Sequence, residues 1–487
     1  MIAMQPSAGV VLGTSAGRAG PLLKWRDAAP TSRVMVVAVM VSMVAFLDST
    51  VVNLALPATE RDLGGGLCLQ QWVVDGYLLA LAAAILPGGS IADLFGRVPV
   101  MRFGLVAFGA GSVLAATAAS PGMLIAGRLI QGLGAAFLVP GSLAMINSTF
   151  DGAHRHAAIG TWTAWTGTAF ALGPLLGGLA VDLLGWRWIY ALSAIPMVIG
   201  FALTFWLRAM PRPARHANLD VAGAALSAAG LAATVYALIE SGRHGWHPGL
   251  VASLIVGIVA LLAFVAWQRR APHPLVPPGL FAVRDFASAN LTTAFVYGAT
   301  AMGSLAIALY TQEVAGYCAT VAGLVTLPTP TMSFLLARRV GARAARIGPR
   351  FFLTTGPLLA GIGLLLIRPS AHGFNIVTHL LPGMTVLAIG LVLTSTPLTA
   401  LNLASVEPSR SGIAAAVQNA VGRTSALTAV ASVGLIAAGT LTDASFARLL
   451  KVAAVLFFIG ALVSGLRLTK SSGTTESARV EVAAGVP

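Results

Sequence analysis

Two carboxylates and two guanidinium groups, Asp48, Asp75, Arg128 and Arg423, lie inside otherwise apolar stretches of this chain. An ionisable group in hydrocarbon is costly, and residues of this kind pair with one another, carry protons or meet a substrate. Asp48 stands about nine residues from one end of its stretch, and Arg128 about five residues from the same end of another. At ~1.5 Å per residue these are depths of ~13 and ~8 Å, close enough for contact across a central cavity. Arg128 favours the charged carboxylate and burial favours the protonated one, so an Asp balanced between them can take up and release a proton. A static buried ion pair that fixes helix packing is the other reading. Asp75 reads as only about one turn in, where a solvated helix-end carboxylate is an equal alternative. Arg423 lies near the middle of its stretch, either as a cavity charge or as the partner of an acid.

The elements that hold these residues are plain from composition. The chain of 487 residues is 57% hydrophobic and 9% charged, more apolar surface than a soluble domain of this size can hide. About 20 apolar residues cross the ~30 Å hydrocarbon core as one helix. Fourteen such spans are expected near 34–57, 71–92, 101–119, 123–148, 157–181, 187–207, 219–240, 250–268, 286–311, 320–340, 351–367, 376–398, 412–437 and 447–467. The weakest are the fourth, the tenth, broken by Pro328 and Pro330, and the fourteenth, which carries Lys451. The fold class is therefore an all-α polytopic membrane protein.

Twenty-two of the 30 Lys and Arg residues fall on one side of this arrangement and six on the other. The positive-inside rule places both termini in the cytoplasm of a cell whose inner (cytoplasmic) membrane holds the chain. The net charge of +14 is thus topogenic, with some affinity for anionic lipid headgroups; it is not a nucleic-acid footprint, because no loop is long enough to form a binding domain. The first 33 residues read as a disordered tail without a signal peptide. Cys68 and Cys318 map to loops on the Arg-poor side and read as free thiols rather than a disulfide. His154 and His156 read as solvated, and Trp162, Trp165, Trp186 and Trp188 as packing or interfacial residues. No phosphate-binding loop, metal-ligand cluster or nucleophile–base set is visible, so neither an enzyme nor a metal site is expected.

Two Arg-side loops share a spacing. Gly89-Ser-Ile-Ala-Asp93-Leu-Phe-Gly96-Arg97 follows the second span, and Gly341-Ala-Arg-Ala-Ala345-Arg-Ile-Gly348 follows the tenth. Two six-helix halves with two helices inserted between them produce this offset, and repeats of this kind build a substrate site near the midplane. The first loop resembles the signature loop of the major facilitator superfamily through Gly89, Asp93, Gly96 and Arg97, although Leu94, Val98 and Pro99 replace residues that are usually basic. Its implied role is a latch that holds one conformation, weaker here than is usual.

Further motifs narrow the resemblance to the fourteen-helix drug:proton antiporter branch, over about residues 34–468. Phe46-Leu-Asp48-Ser-Thr-Val-Val-Asn53-Leu-Ala-Leu-Pro57, Gln71-Trp72-Val-Val-Asp75-Gly-Tyr77 and Arg128-Leu-Ile-Gln131-Gly132-Leu-Gly134 are its landmarks in spans 1, 2 and 4. His273 to Phe281 and Asn419-Ala-Val-Gly-Arg423 are two more. Span 5 carries Gly160, Gly173, Pro174, Gly177 and Gly178 at the antiporter-motif spacing, with Ala169 where a Gly is usual. Small residues allow close helix approach and Pro174 removes a backbone bond.

The resemblance implies a tail over 1–33, halves over 34–207 and 286–468, inserted helices with linkers over 208–285, and a second tail over 469–487. It implies a secondary transporter without cofactors that exports a small amphipathic compound in exchange for protons. Asp48, Asp75, Arg128, Arg423, Asn53 and Gln131 are then the pathway candidates, and the partners are a small-molecule substrate, membrane lipids and protons, acting on a monomer. Uptake, or export of one native metabolite or lipid precursor, is a second reading; a transport-inactive sensor or scaffold is a third.

Overall fold

Hydrocarbon offers no hydrogen-bond partners, so every backbone amide in a span must be satisfied within it, and a helix does this. The computed structural model of the chain describes residues 30–150, 152–207, 219–370, 373–407 and 410–468. Within them, fourteen helices are long and apolar enough to cross a membrane: α1 (Thr31–Leu63), α2 (Gly66–Phe95), α3 (Arg97–Ala116), α4 (Pro121–Leu143), α5 (Ala157–Leu184), α6 (Arg187–Thr204), α7 (Val221–His244), α8 (Pro248–Gln268), α9 (Arg284–Val314), α10 (Ala319–Ile347), α11 (Pro349–Leu366), α12 (Ile376–Ala404), α13 (Ser411–Ala437) and α14 (Asp443–Arg467). The chain is a multi-pass, all-α membrane protein. The tails expected over 1–33 and 469–487 lie outside the described residues except for 30–33, as do Arg208, Arg212 and Arg215 of the linker.

Local chemistry sets the helix ends. Ser120 accepts a hydrogen bond from the Met123 amide just before Pro121 opens α4, and Thr442 and Ser445 form a reciprocal capping box at α14. The two repeat loops turn on one backbone conformation: Gly96 has φ 92°, ψ 144° and Gly348 has φ 88°, ψ 154°. Only glycine enters this region freely, so the shared spacing reflects a shared turn. In α10, the helix is interrupted near Thr326 and resumes at Pro328, where a missing amide is harmless.

The packing repeats as well. The pairs α3–α4, α2–α4, α1–α5, α1–α6 and α3–α6 have counterparts in α11–α12, α10–α12, α9–α13, α9–α14 and α11–α14. The first six spans meet the last six chiefly through α2–α13 and α5–α10, which the same offset also interchanges. The hairpin α7–α8 packs through α7 against α2 and α13. Its base is tied by Asp220, which caps α7 at the Gly223 amide (2.8 Å) and accepts hydrogen bonds from Trp267 Nε1 (2.8 Å) and Gln268 Nε2 (2.7 Å). Burial pushes the Asp220 carboxyl up, but these donors outweigh it and hold it below the usual carboxylate range.

Two expectations need correction. α2 begins at Gly66, five residues earlier than the pattern suggested, because Gly64, Gly65 and Gly66 all take positive φ and let the chain reverse at once. Cys68 is therefore not in a loop but in the first turn of α2, and it is a free thiol, as is Cys318. Asp75 is for the same reason not a helix-end group: it is wholly buried, nine residues into α2.

Candidate functional site

α1, α2 and α4 converge on a polar centre enclosed by apolar residues. Asp48 and Arg128 are 0% and 2% exposed, and the contact expected from their similar depth is made. Arg128 Nη1 lies 2.9 and 2.8 Å from the two carboxylate oxygens of Asp48. The same nitrogen donates to Gln131 Oε1 at 2.8 Å, while Nε donates to the Val73 carbonyl at 2.8 Å. Gln131 Nε2 in turn donates to Ser112 Oγ, and Ser112 to the Phe108 carbonyl. Close approach of the backbones makes this network reachable. A Cβ on Gly111 would fall 2.7 Å from the Gln131 amide, and Gly76 packs over the Arg128 Cβ. The guanidinium also lies 4.6 Å from the Tyr77 ring centre and 5.9 Å from that of Tyr190, faces that attract a cation when water is excluded.

The other pathway candidates divide. Gln131 joins the network; Asn53, half-buried on α1, does not. Both carboxyl oxygens of Asp75 are buried without a hydrogen-bond partner. Arg423 is half-buried in the middle of α13, within electrostatic reach of Tyr77, and among the described residues no carboxylate lies within 4 Å of it. Its expected role as the partner of an acid is not seen in this conformation.

The glycine motif of α5 serves two interfaces. Gly173 and Gly177 admit Thr50 and Val51 of α1, whereas Gly178 packs against Ala319 and Thr320 of α10, and Gly323 of α10 against the Pro174 carbonyl. Gly160 and Gly167, toward the Arg-rich end, face open space, and Trp165 and Phe170 there are exposed. Gly89 and Asp93, expected in a loop after the second span, instead lie in the Arg-rich end of α2, which runs on to Phe95; Gly89 faces open space, and Asp93 pairs at 3.9 Å with Arg97 at the start of α3.

Three clasps at the Arg-poor end were not anticipated. Asp182 accepts from the Ala319 amide (3.0 Å), the Thr320 amide (2.8 Å) and the Thr320 hydroxyl (2.6 Å), joining α5 to α10. Gln71 Nε2 donates to the Val430 and Ala431 carbonyls (2.7 and 2.8 Å), joining α2 to α13. Gln70 donates to Glu313, joining α2 to α9. Asp182 fell just beyond the expected end of its span, and amide side chains in a helix carry no pattern that separates a clasp from a solvated group.

A buried ion pair lies at the crossing of α1 and α4, in a bundle whose second half repeats the packing of its first, as in many secondary transporters. The model of the Major Facilitator Superfamily matches residues 38–430. The chain belongs to that superfamily. Among its relatives are the puromycin resistance protein of Streptomyces alboniger, 34% identical over 83% of this chain and 81% of that one. The methylenomycin A resistance protein of Bacillus subtilis is 30% identical over 92% and 96%. The multidrug resistance protein Stp of Mycobacterium tuberculosis is 33% identical over 80% and 73%. A solved POT family transporter, in complex with 5-aminolevulinic acid, shares the fold at TM-score 0.68 and 14% identity, over 90% of this chain and 96% of that one. The chain is thus a major facilitator transporter, not an enzyme, and it is similar to antibiotic and multidrug resistance proteins.

Proposed function

We propose that this transporter exports small amphipathic compounds from the cytoplasm in exchange for protons. It would work in the cytoplasmic membrane with both termini inside, by rocking of the halves 34–207 and 286–468. The observation that carries the reading is the pair of buried carboxyls, one bound to Arg128 and one unpaired. Breaking or making one partner of a buried ion pair is worth about 3–5 kcal/mol, so a proton arriving at Asp48 would release Arg128 and shift the packing of α1 on α4. An ionised Asp75 would have nothing to offset its desolvation, so the neutral acid is the form this conformation accommodates.

The direction of access supports the same cycle. The clasps of Asp182, Gln71 and Gln70 draw the two halves together at the Arg-poor end, while α5 faces open space toward the Arg-rich end. With the Arg-rich end cytoplasmic, this is the inward-facing stage of the cycle. With Asp48 and Arg128 neutralising each other and Asp75 protonated, Arg423 leaves one net positive charge in the interior, which favours neutral or anionic compounds. The relatives make puromycin and methylenomycin A the first compounds to try. The test is their accumulation in cells expressing the protein. Expression should lower accumulation of at least one member of an antibiotic panel, and a protonophore should restore it; efflux that survives the protonophore would remove proton coupling.

A further inference from the structure

The unpaired Asp75 does not belong to the Asp48–Arg128 centre. At about 100° per residue around α2, taking Gln71 as zero, Asp75 lies near 40°, Cys68 near 60° and Trp72 near 100°. Val73 and Tyr77, which meet Arg128, lie near 200° and 240°. Gln71 faces α13, where it bonds Val430 and Ala431, and Trp72 faces α7, where its Nε1 donates to Glu240. Asp75 therefore points between α13 and α7, away from the ion pair. The three helices pack on one another, and Leu78 of α2, Val235 and Ile239 of α7, and Leu427 and Ala431 of α13 are buried members of one apolar cluster.

Two features close the seam toward the Arg-poor end. Gln71 sits one turn above Asp75 on the same face, and its amide is held by α13 carbonyls at the point where that helix is interrupted, beside Ser432. Gly434 lets α13 approach so closely that a side chain there would press on the Gln71 amide. At the rim stands a carboxylate from the inserted hairpin, Glu240, with a side chain 16% exposed. One of its oxygens accepts from Trp72 Nε1 (3.0 Å) and the Cys68 thiol (3.7 Å); the other lies 3.2 Å from His244 Nδ1. Arg243 is the further charge of this rim. On the deeper side, Arg423 lies one turn below Leu427 on α13.

We propose that Asp75 is a second proton-binding site, separate from Asp48–Arg128, which is loaded from outside through the α2–α7–α13 seam, with Gln71 as its seal and Glu240 as the carboxylate at its mouth. The proposal rests on the antiport reading above. When α2 and α13 part, the Asp75 carboxylate takes one proton from outer water by way of Glu240, and the closed seam then buries the neutral acid. The proton leaves toward the Arg-rich end at the inward-facing stage of the cycle. The inserted hairpin is then part of the proton route, because α7 supplies both a wall of the seam and its entrance.

Infrared spectroscopy of the purified full-length protein tests this without a transported compound. A band of a buried protonated carboxyl should be present in the parent, absent in Asp75→Asn and retained in Asp48→Asn. Its shift on transfer to D2O should be slow in the parent and faster by about tenfold or more in Gln71→Leu, where two hydrogen bonds of the seal are gone. Gly434→Ala, which opens the same clasp from α13, should do likewise if Gln71→Leu does not fold. Glu240→Gln should slow the exchange seen in either variant. Labelling of Cys68 by an impermeant maleimide, in a Cys318→Ser background, should rise with the seal broken. Absence of the band, or exchange and labelling indifferent to both seal variants, overturns the proposal. Compound efflux that survives a protonophore while the band behaves as described would instead sink the antiport reading and leave the proton site standing.

Discussion

The two halves of the Asp48–Arg128 pair should fail differently when removed. Both side chains are buried, so Asp48→Asn strands a guanidinium that cannot lose its proton. Breaking a buried pair in this way costs about 3–5 kcal/mol, less roughly 1 kcal/mol for the hydrogen bond the Asn oxygen still accepts, leaving a loss of about 2–4 kcal/mol. Arg128→Gln strands a carboxylate instead, and a carboxylate has an escape. Neutralising an ordinary Asp at pH 7 costs ~4 kcal/mol and this falls by ~1.4 kcal/mol per pH unit. That variant should therefore recover as the pH drops from 7 to 5, while Asp48→Asn should not. The double variant Asp48→Asn/Arg128→Gln leaves no charge and should be more stable than Asp48→Asn alone, giving a coupling of roughly 2–3 kcal/mol. Thermal unfolding of the detergent-solubilised protein, followed by tryptophan fluorescence across pH, measures all four corners. A double variant no more stable than Asp48→Asn, or an Arg128→Gln variant with no acid recovery, would refute the buried pair as the element a proton can switch.

Asp75→Leu removes two unsatisfied buried oxygens and should leave thermal stability equal or higher, by up to ~2 kcal/mol, while abolishing proton-driven efflux; a clear loss of stability would show that Asp75 is paired after all. Gly178→Val places side-chain atoms where even a Cβ would fall 2.6 Å from the Ala319 carbonyl and the Thr320 Cα. Disulfide cross-linking of Asp182→Cys with Thr320→Cys should drop several-fold when it is added, and unchanged cross-linking would separate the α5 motif from closure. Arg423→Gln should shift the range of exported compounds toward cations at normal folded yield; a lowered yield with an unshifted range would make Arg423 a structural partner. Asp220, held below its usual range, stabilises α7–α8 above about pH 4 and loses that contribution as the pH falls through its lowered value. Asp220→Asn should flatten the acid limb of the stability profile, and an acid limb identical to the parent's would exclude it as the cause.

The spans and the ion pair were legible because their physics is one-dimensional. Hydrocarbon forces ~20-residue helices, and depth along two helices was enough to bring Asp48 to Arg128. The repeat was legible through Gly96 and Gly348, since a positive-φ turn demands glycine wherever it recurs. Asp75 was misjudged because three consecutive glycines let α2 start early, and because its environment depends on which neighbours face it. That is a question of rotation about α2, set by α7 and α13, which sequence spacing does not carry. The clasps escaped for a related reason. Asp182 and Gln71 bind backbone groups at the start of α10 and at the interruption of α13, and the helix ends that create those groups appear only in three dimensions. Glu240 likewise gains its partner, Trp72, only because the inserted hairpin lies against α2.

The central claim is that a buried carboxyl of this transporter exchanges a proton for each step of export. Its most direct test uses proteoliposomes carrying the purified protein, a pH-sensitive dye inside, and a compound whose accumulation the protein lowers in cells. Imposing a gradient of that compound should drive proton movement in the opposite direction, and this movement should vanish in Asp48→Asn while bound compound remains detectable. Proton movement in Asp48→Asn equal to that of the parent, or compound movement without any proton movement in the parent, would contradict it.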